Sequence, residues 1–243
     1  MIIKELSIIF PIYNEEDRLK VNLYKIAKLF KSLRSMNIEI ILVNDGSTDT
    51  SHELINFFLK SLKKKDRRKV HYIYYQKNKG KGYALKEGIK KAKKKWNLTC
   101  DIDFSANPTE VKRWIKLKYI KKSLKTCYFA SRSLKQSIVK YKRHRYYLGN
   151  IFNILVSFLF NLNIGDTQCG FKLYHSSYAK RIFSNLKEFG YSHDVEIALL
   201  LNKEFISVKE LPIRWVHRDK SKLNVMSDGL NMIFKILFVK LRS

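Results

Sequence analysis

Two carboxylates separated by one residue, Asp101 and Asp103, follow a short apolar run and carry the strongest chemical signal in the sequence. If that run is a strand extending through both residues, the two side chains share a face, because side chains alternate along a strand. Adjacent carboxylates repel each other, and a hard divalent cation with oxygen ligands relieves the repulsion, commonly together with substrate phosphates. The pair is therefore a candidate metal site, with a structural Asp-rich turn as the alternative.

The elements around this pair predict an α/β fold. Short apolar runs alternate with segments of helical periodicity over the first 131 residues, which is typical of a mostly parallel sheet with right-handed crossovers. Strands are expected at 6–10, 38–43, 70–75 and 126–131, with a further strand ending at the aspartate pair. Because parallel strands end at one rim of the sheet, Asp45 should lie near the aspartate pair, as should residues 13–15.

Beyond residue 131 the alternation of strands and helices is lost. A basic polar stretch covers 133–145, an apolar helix is expected at 147–160, and a hairpin is expected around 210–215. A C-terminal amphipathic helix over 223–243 has basic residues at the edges of its apolar face. Either helix can lie in a membrane interface or pack on the sheet as ordinary core. No stretch is apolar for long enough to span a bilayer, so a soluble or peripheral protein is expected.

The charge balance restricts the class of partner. With 49 lysines and arginines against 21 aspartates and glutamates, the 243-residue chain has a formal net charge of +28. Such a field attracts polyanions, meaning nucleic acid, anionic lipid headgroups or phosphorylated substrates, and it does not choose among them. Three widely spaced cysteines without a Cys/His cluster support neither a disulfide framework nor a zinc site. The first residues make a poor signal peptide, so a cytoplasmic location is expected.

A candidate phosphate-binding turn contains Gly80, Lys81 and Gly82. The two glycines could let backbone N–H groups approach a phosphate, and Lys81 would add positive charge at a helix start. The segment matches neither of the common glycine-rich phosphate motifs, so a solvated turn is the alternative.

Several motifs, in order along the chain, resemble those of the family 2 glycosyltransferases with the GT-A fold. They are Phe10-Pro-Ile-Tyr-Asn-Glu-Glu16, Val43-Asn-Asp-Gly-Ser-Thr-Asp49, Asn78-Lys-Gly-Lys-Gly82, Asp101-Ile-Asp103, Asp166-Thr-Gln-Cys-Gly-Phe-Lys172, Asp194-Val-Glu196 and Trp215 through Ser221-Lys222. The first four are family-level signals. Together with the Asp166–Lys172 motif they resemble the branch that transfers sugars to polyprenyl phosphates.

The resemblance implies the domain organisation. It predicts an α/β, GT-A (Rossmann-like) single domain over 1–243, with a mostly parallel central sheet flanked by helices. A nucleotide-sugar half would cover 1–131 and an acceptor half 132–222, followed by the C-terminal amphipathic helix at 223–243.

The resemblance also implies roles for individual residues. The nucleotide-sugar site would comprise Pro11, Tyr13, Glu15, Asp45, Lys81 and Asp101. The cation would be Mg²⁺ or Mn²⁺ on the donor diphosphate, bound by Asp101 and Asp103. The arginines facing the acceptor or donor phosphates would be Arg132 with Arg143 or Arg145. The catalytic candidates are Arg132, Asp194 near the attacking oxygen, and Lys222, which would close over the site.

Two positions depart from the family pattern. Asn44 stands where many relatives have a second aspartate, and Lys220 stands where the glucosyl branch usually has glycine before Ser221. The second departure concerns the loop that would close over the site.

The resemblance implies an inverting, metal-dependent enzyme that moves a hexose onto a polyprenyl or dolichyl phosphate at the cytoplasmic membrane face. The expected donor is UDP-glucose, and the expected partners include a membrane surface or a membrane protein. A phosphate monoester is largely dianionic at neutral pH and attacks without a general base, whereas a saccharide hydroxyl needs one. No histidine has an obvious catalytic setting, and this favours the phosphate acceptor.

Three other functions are compatible with parts of the sequence. Transfer to a saccharide hydroxyl in cell-surface polysaccharide synthesis would keep the donor site and change the acceptor. An inactive scaffold would keep the fold alone. A basic nucleic-acid-binding protein would explain the charge, but the sequence has no recognisable reading module, so no nucleic-acid partner is expected.

Overall fold

The computed structural model describes residues 3–120, 123–140, 160, 162–190, 192–218 and 235, which form an α/β fold. The strands are β1 (Glu5–Ile12), β2 (Asn37–Asp45), β3 (Val70–Tyr75), β4 (Trp96–Thr99), β5 (Thr126–Ser131), β6 (Ile138–Lys140), β7 (Lys172–His175), β8 (Ser207–Pro212) and β9 (Arg214–Val216). The helices are α1 (Glu16–Ser32), α2 (Ser51–Ser61), α3 (Lys64–Arg67), α4 (Lys81–Lys91), α5 (Glu110–Lys116), α6 (Ser176–Asn185) and α7 (His193–Lys203).

The main sheet has seven strands in the order β3-β2-β1-β4-β7-β5-β8. Its first four strands are parallel, with Ile8 opposite Ile40 and Leu98. These strands are almost continuously apolar because both faces of the sheet are covered by helices. The alternation of side chains divides the core accordingly: Ile8 packs with α1, α2 and α5, whereas Ile9 packs with α4, α6 and α7.

One strand reverses the direction of the sheet. Strand β7 lies between β4 and β5 and is antiparallel to both, while β5 and β8 are again parallel to each other. The predicted mostly parallel sheet is therefore confirmed, with this one exception among the described strands. Because β7 runs backwards, its first residue, Lys172, pairs with Thr99 at the end of β4. The reversal thus brings a segment from beyond residue 131 to the rim where the parallel strands end.

The hairpin predicted around residues 210–215 is wrong. Strand β8 pairs with β5 and strand β9 pairs with β6, so the two consecutive strands belong to different sheets. Only Ile213, which is fully buried, separates Pro212 at the end of β8 from Arg214 at the start of β9. Two strands do form in this segment, but their partners β5 and β6 lie far away in the chain.

Two predicted helices lie mostly outside the described residues. For the apolar helix at 147–160, only Phe160 is described, and it packs against the part of the core that contains α4, α6 and α7. For the C-terminal helix at 223–243, only Lys235 is described, and its ammonium lies 3.3 Å from Glu188 Oε1. Among the helices that the structure describes, none has the length and apolar character needed to cross a membrane.

Candidate active site

The loops after β1 and β2 are hydrogen-bonded to each other at the rim of the sheet. The Asn14 N–H donates to Ser47 Oγ at 2.9 Å, and Asn14 Oδ1 accepts from the Thr48 N–H at 2.7 Å. The Glu15 N–H donates to Ser51 Oγ at 3.0 Å. Asn14 has a φ of 50°, a left-handed conformation that asparagine tolerates better than most residues. These bonds fix the first two predicted nucleotide-binding motifs relative to each other.

Three predicted nucleotide-binding residues stand on this first loop or just before it. Pro11 lies within β1, and Tyr13 is among the exposed large side chains. The carboxylate of Glu15 accepts hydrogen bonds of 2.9 and 3.0 Å from Arg18. The structure brings the three residues to the predicted rim, and their roles toward a nucleotide stay predictions.

Asp45 is nearly fully buried and holds the glycine-containing turn after β3. Its two oxygens accept bonds of 2.9 Å each from Asn78 Nδ2 and from the N–H groups of Lys79 and Gly80. The Gly82 N–H donates to Phe189 O, also at 2.9 Å. The N–H groups of both glycines are therefore bonded within the protein, and the prediction that they reach toward a phosphate is wrong.

The aspartate pair does not lie on a strand, so the geometric premise of the sequence prediction is wrong. Strand β4 ends at Thr99, and the chain turns so that the Phe104 N–H donates to Asp101 O at 3.3 Å. Asp103 Oδ1 accepts from the Ser105 N–H and Asp103 Oδ2 from the Ser105 hydroxyl, both at 2.8 Å. The two acids therefore stand in a tight turn just beyond the strand, rather than on alternate positions of the strand itself.

Asp101 makes an ion pair that connects it to the glycine-containing turn. Lys81 Nζ lies 2.7 Å from Asp101 Oδ1, and the side chains remain 35% and 39% exposed, respectively. Burial raises the pKa of the Asp101 carboxyl, but the Lys81 ammonium outweighs this and leaves the pKa below its usual value. Lys81, in turn, has a raised pKa, because the carboxylates of Asp101 and Asp194 outweigh its desolvation. Both groups are charged at neutral pH.

Gly170 lies directly beside the Asp101 carboxylate. A Cβ at this position would lie 2.8 Å from Asp101 Cγ and closer still to Oδ2, so the carboxylate would have to move aside. The Gly170 carbonyl accepts from Thr99 Oγ1 at 3.0 Å, which restrains the backbone of this segment. The absence of a side chain at Gly170 therefore leaves room for the acid in its observed position.

Arg132 is held by a buried carboxylate. Its Nε and Nη2 donate to Asp166 at 2.7 and 2.8 Å, a two-pronged arrangement that fixes the guanidinium plane. Burial raises the pKa of Asp166, but Arg132 outweighs this and leaves it below the usual range. The guanidinium also lies 5.5 Å from the centre of the Trp215 ring. Asp166 is therefore a positioning partner of Arg132.

Asp194, a predicted catalytic residue, lies in a buried charge cluster. Its carboxylate forms an ion pair with Lys172, and His193 Nε2 lies 3.4 Å from its other oxygen. The Lys172 and Asp194 side chains are only 1% and 7% exposed. Burial raises the pKa of Asp194, whereas His193, Lys172 and Lys81 lower it to a net value below the usual range. Asp194 also stands in the first turn of α7, where the helix dipole favours a negative charge.

Sequence reasoning assigned no role in the site to two members of this cluster. Lys172 was part of a quoted motif, and His193 was among the histidines without an obvious catalytic setting. His193 is buried, and burial lowers the pKa of its imidazole. A lysine in an otherwise apolar run, Phe171-Lys-Leu-Tyr174, was the signal that could have identified Lys172.

The carboxylate oxygens that Asp101 and Asp103 offer at the turn are ligands of the type that a divalent cation prefers. Within the ranges that the structure describes, no group of three or more histidine, cysteine, aspartate or glutamate side chains could enclose a metal by itself. Mg²⁺ at nucleotide sites needs no such cage, since it is commonly held by one or two carboxylates and the substrate phosphates. Asp101 and Asp103 offer that set, although one oxygen of Asp101 holds Lys81.

Three predicted site residues cannot be placed. Arg143, Arg145 and Lys222 lie outside the described residues, as does Lys220. Asn44 can be placed: its Oδ1 accepts from the Ser47 N–H at 3.0 Å and its Nδ2 donates to the Tyr72 hydroxyl at 3.1 Å. An aspartate could accept the first bond but could not donate the second.

Solved structures define the class of fold. Glucosyl-3-phosphoglycerate synthase from Mycobacterium tuberculosis, solved with phosphoglyceric acid, matches with a TM-score of 0.70 at 13% identity, over 97% of this chain and 80% of that one. The mannosyltransferase PcManGT from Pyrobaculum calidifontis, solved with GDP-Man and Mn²⁺, matches with a TM-score of 0.62 at 16% identity, over 98% and 64% of the two chains. The architecture is thus GT-A-like, as predicted.

The sequence comparisons define the family. The profile of Glycosyl transferase family 2 matches residues 7–183, and the chain belongs to this family of glycosyltransferases. The dolichyl-phosphate beta-glucosyltransferase of Saccharomyces cerevisiae is 30% identical in an alignment of 248 positions that covers 97% of this chain and 74% of the relative. The human protein of the same name is 32% identical in an alignment of 248 positions that covers 98% of this chain and 76% of the relative. The branch indicated by the motifs is therefore confirmed.

Proposed function

We propose that this glycosyltransferase moves glucose from UDP-glucose onto a polyprenyl phosphate such as dolichyl phosphate, with inversion at the anomeric carbon. The observation that carries the proposal is the similarity of nearly the whole chain to dolichyl-phosphate beta-glucosyltransferases. Because the similarity extends beyond the matched family profile, it includes the segments expected to face the acceptor.

The donor would lie against the rim formed by the loops after β1, β2 and β4. Asp101 and Asp103 would hold Mg²⁺ or Mn²⁺, which when bound supplies positive charge to the departing diphosphate. Lys81 would add a second positive charge from the start of α4. Pro11, Tyr13 and Glu15 would contact the nucleoside, and the buried Asp45 would set the position of the turn that carries Lys81.

The state of Asp194 supports a phosphate acceptor. A saccharide hydroxyl must lose a proton during attack, which needs a general base that can accept it, and Asp194 is the candidate at this site. Asp194 is a poor base, because Lys172 occupies its carboxylate and its pKa is lowered. A phosphate monoester is already largely dianionic at neutral pH and needs no base. Asp194 would then position the acceptor or neighbouring cations, and transfer to a hydroxyl is the weaker alternative.

The acceptor phosphate would be bound by basic residues beyond position 131. Arg132 is oriented for this by Asp166, and Arg143, Arg145 and Lys222 would complete the set. A net charge of +28 supports peripheral attachment to an anionic cytoplasmic membrane face, directly or through a membrane partner. On this proposal, residues 1–131 serve the donor, 132–222 serve the acceptor, and 223–243 form an amphipathic helix.

A transfer assay tests the proposal. The purified chain should convert UDP-[¹⁴C]glucose and dolichyl phosphate, with Mn²⁺ or Mg²⁺, into a labelled lipid that partitions into organic solvent. GDP-mannose at equal concentration is the control donor and should give much less lipid-bound label. If label appears only as free sugar or on a saccharide, the proposed acceptor is wrong.

A Gly170→Ala variant tests the role of the neighbouring acid. The added Cβ must push the Asp101 carboxylate aside, so we expect kcat/KM for glucosyl transfer to fall by about 10- to 100-fold. Gly165→Ala is the matched control, because the atom nearest to a Cβ added there would be the Ser133 hydroxyl oxygen, 3.1 Å away. Thermal unfolding should confirm that both variants are folded. Equal activity of the two variants would mean that Asp101 is not placed as described.

A further inference from the structure

The two ion pairs at the site differ in their access to solvent. Lys172 and Asp194 are 1% and 7% exposed, so their pair cannot be separated without leaving charges buried. Lys81 and Asp101 are 35% and 39% exposed, and their ammonium and carboxylate lie 2.7 Å apart. A partly exposed pair of this kind can be displaced by a ligand, because water can solvate each partner as they separate.

The backbone that carries Lys81 is anchored, so any exchange of partners must come from its side chain. Gly80, directly before it, is held by the bond to Asp45 and has a φ of 99°. Gly82, directly after it, donates to Phe189 O, and a Cβ on either glycine would collide with Phe189 backbone atoms. The long, rotatable side chain of Lys81 therefore starts from a fixed point at the beginning of α4.

The acid end of the pair is also fixed. Asp103 is tied to Ser105 through both of its oxygens, and Asp101 is confined on one side by Gly170. A cation approaching the two acids therefore meets an Asp101 carboxylate that the Lys81 ammonium already contacts through Oδ1. Two positive charges held by one carboxylate repel each other strongly, so the cation and the ammonium compete for Asp101.

We infer that Lys81 is an internal counter-ion that occupies Asp101 until the divalent cation arrives with the donor, and that its ammonium then moves onto the donor diphosphate. The inference rests on the proposed function, since it presupposes a nucleotide diphosphate and a cation at Asp101. It predicts that the free protein binds the cation weakly and that nucleotide and cation assist each other. The cation would replace Lys81 as the partner of Asp101, and the diphosphate would replace Asp101 as the partner of Lys81. Binding of either ligand would therefore strengthen binding of the other.

Binding measurements on a Lys81→Met variant test this without any turnover. Mn²⁺ is added without nucleotide, and free Mn²⁺ is followed by electron paramagnetic resonance, with Asp101→Asn giving the background of unrelated sites. Removing the competing ammonium should strengthen Mn²⁺ binding by about threefold or more. The affinity for UDP in saturating Mn²⁺, measured by calorimetry, should instead weaken by about tenfold, the effect of one lost charge-assisted hydrogen bond.

Two further variants separate charge from position. Lys81→Arg keeps the positive charge and should bind Mn²⁺ about as weakly as the natural protein. Lys90→Met removes the same charge from an exposed position at the other end of α4 and should change neither affinity. Circular dichroism confirms that each variant is folded.

The outcomes distinguish this inference from the proposed function. If the natural protein binds UDP with Mn²⁺ while Lys81→Met binds Mn²⁺ no more tightly than Lys90→Met, the counter-ion role is wrong and the proposed function stands. If the natural protein binds no Mn²⁺ above the Asp101→Asn background, even with UDP, then both the metal site and the inference are overturned.

Discussion

Exchange of Asp101 for asparagine is expected to reduce kcat/KM for glucosyl transfer by about 100-fold or more. Asparagine keeps the size and shape of the side chain but removes the charge that would hold a cation and that now holds Lys81. Charge placed where a leaving group becomes negative contributes most to rate in a partly enclosed site, which is why this single loss should be large. The measurement is the initial rate of label transfer from UDP-glucose to dolichyl phosphate.

The stability of the Asp101→Asn variant should change little. Because both partners of the ion pair are more than one-third exposed, the pair contributes no more than about 1 kcal/mol to the free energy of unfolding. Asp66→Asn, on the short helix α3 before β3, is the matched charge control and should keep full activity. An Asp101→Asn variant that transfers glucose at the natural rate would refute the assignment of the cation site.

Exchange of Lys172 for methionine is expected to have the largest effect on stability. Methionine fills a similar volume, but it leaves the Asp194 carboxylate buried without its main cationic partner. An uncompensated buried charge costs about 3–5 kcal/mol, a large part of the stability of an ordinary domain. Urea unfolding at neutral pH measures the loss, and the exposed Lys180→Met on α6 is the control, expected to change the stability by much less.

The dependence of stability on pH shows whether the unpaired Asp194 charge causes the loss of stability in the Lys172→Met variant. The folded-state pKa of Asp194 is below its unfolded value of about 3.9, so its stabilising contribution is present above that value and lost as pH falls through the folded-state value. Without Lys172 the folded-state pKa should rise, and the variant should recover relative stability as acid protonates Asp194. A Lys172→Met/Asp194→Asn double variant should regain part of the loss at neutral pH. No recovery in either experiment would mean that packing, not charge, explains the effect.

Local patterns in the sequence predicted most of the sheet. The strands expected at 70–75 and 126–131 have those bounds in the structure, and those expected at 6–10 and 38–43 lie inside β1 and β2. Buried parallel strands are almost continuously apolar, and that signal needs no knowledge of their partners. The same local reasoning failed for 210–215, where pairing with β5 and β6, rather than proximity in the chain, decides the arrangement.

The candidate site was predicted in outline and incorrectly in detail. Asp45 and the aspartate pair were expected on one rim, and the structure connects them through the turn that carries Lys81. The expectation of two acids alternating on a strand was wrong, since β4 ends before them. Lys172 received no role, because nothing local indicates that β7 enters the sheet backwards beside β4.

The sequence by itself determined the α/β class, the family, and the acids that gather at the rim, because hydrophobic periodicity and the order of motifs depend only on residues close together in the chain. Only the tertiary structure decided which lysine pairs with which aspartate. Lys81 meets Asp101 and Lys172 meets Asp194 because the turn after β3 and the reversed strand β7 converge on the end of β4. Such pairings depend on distances of a few ångströms between segments far apart in the chain, and folding fixes those distances only when the two cores on either face of the sheet are packed.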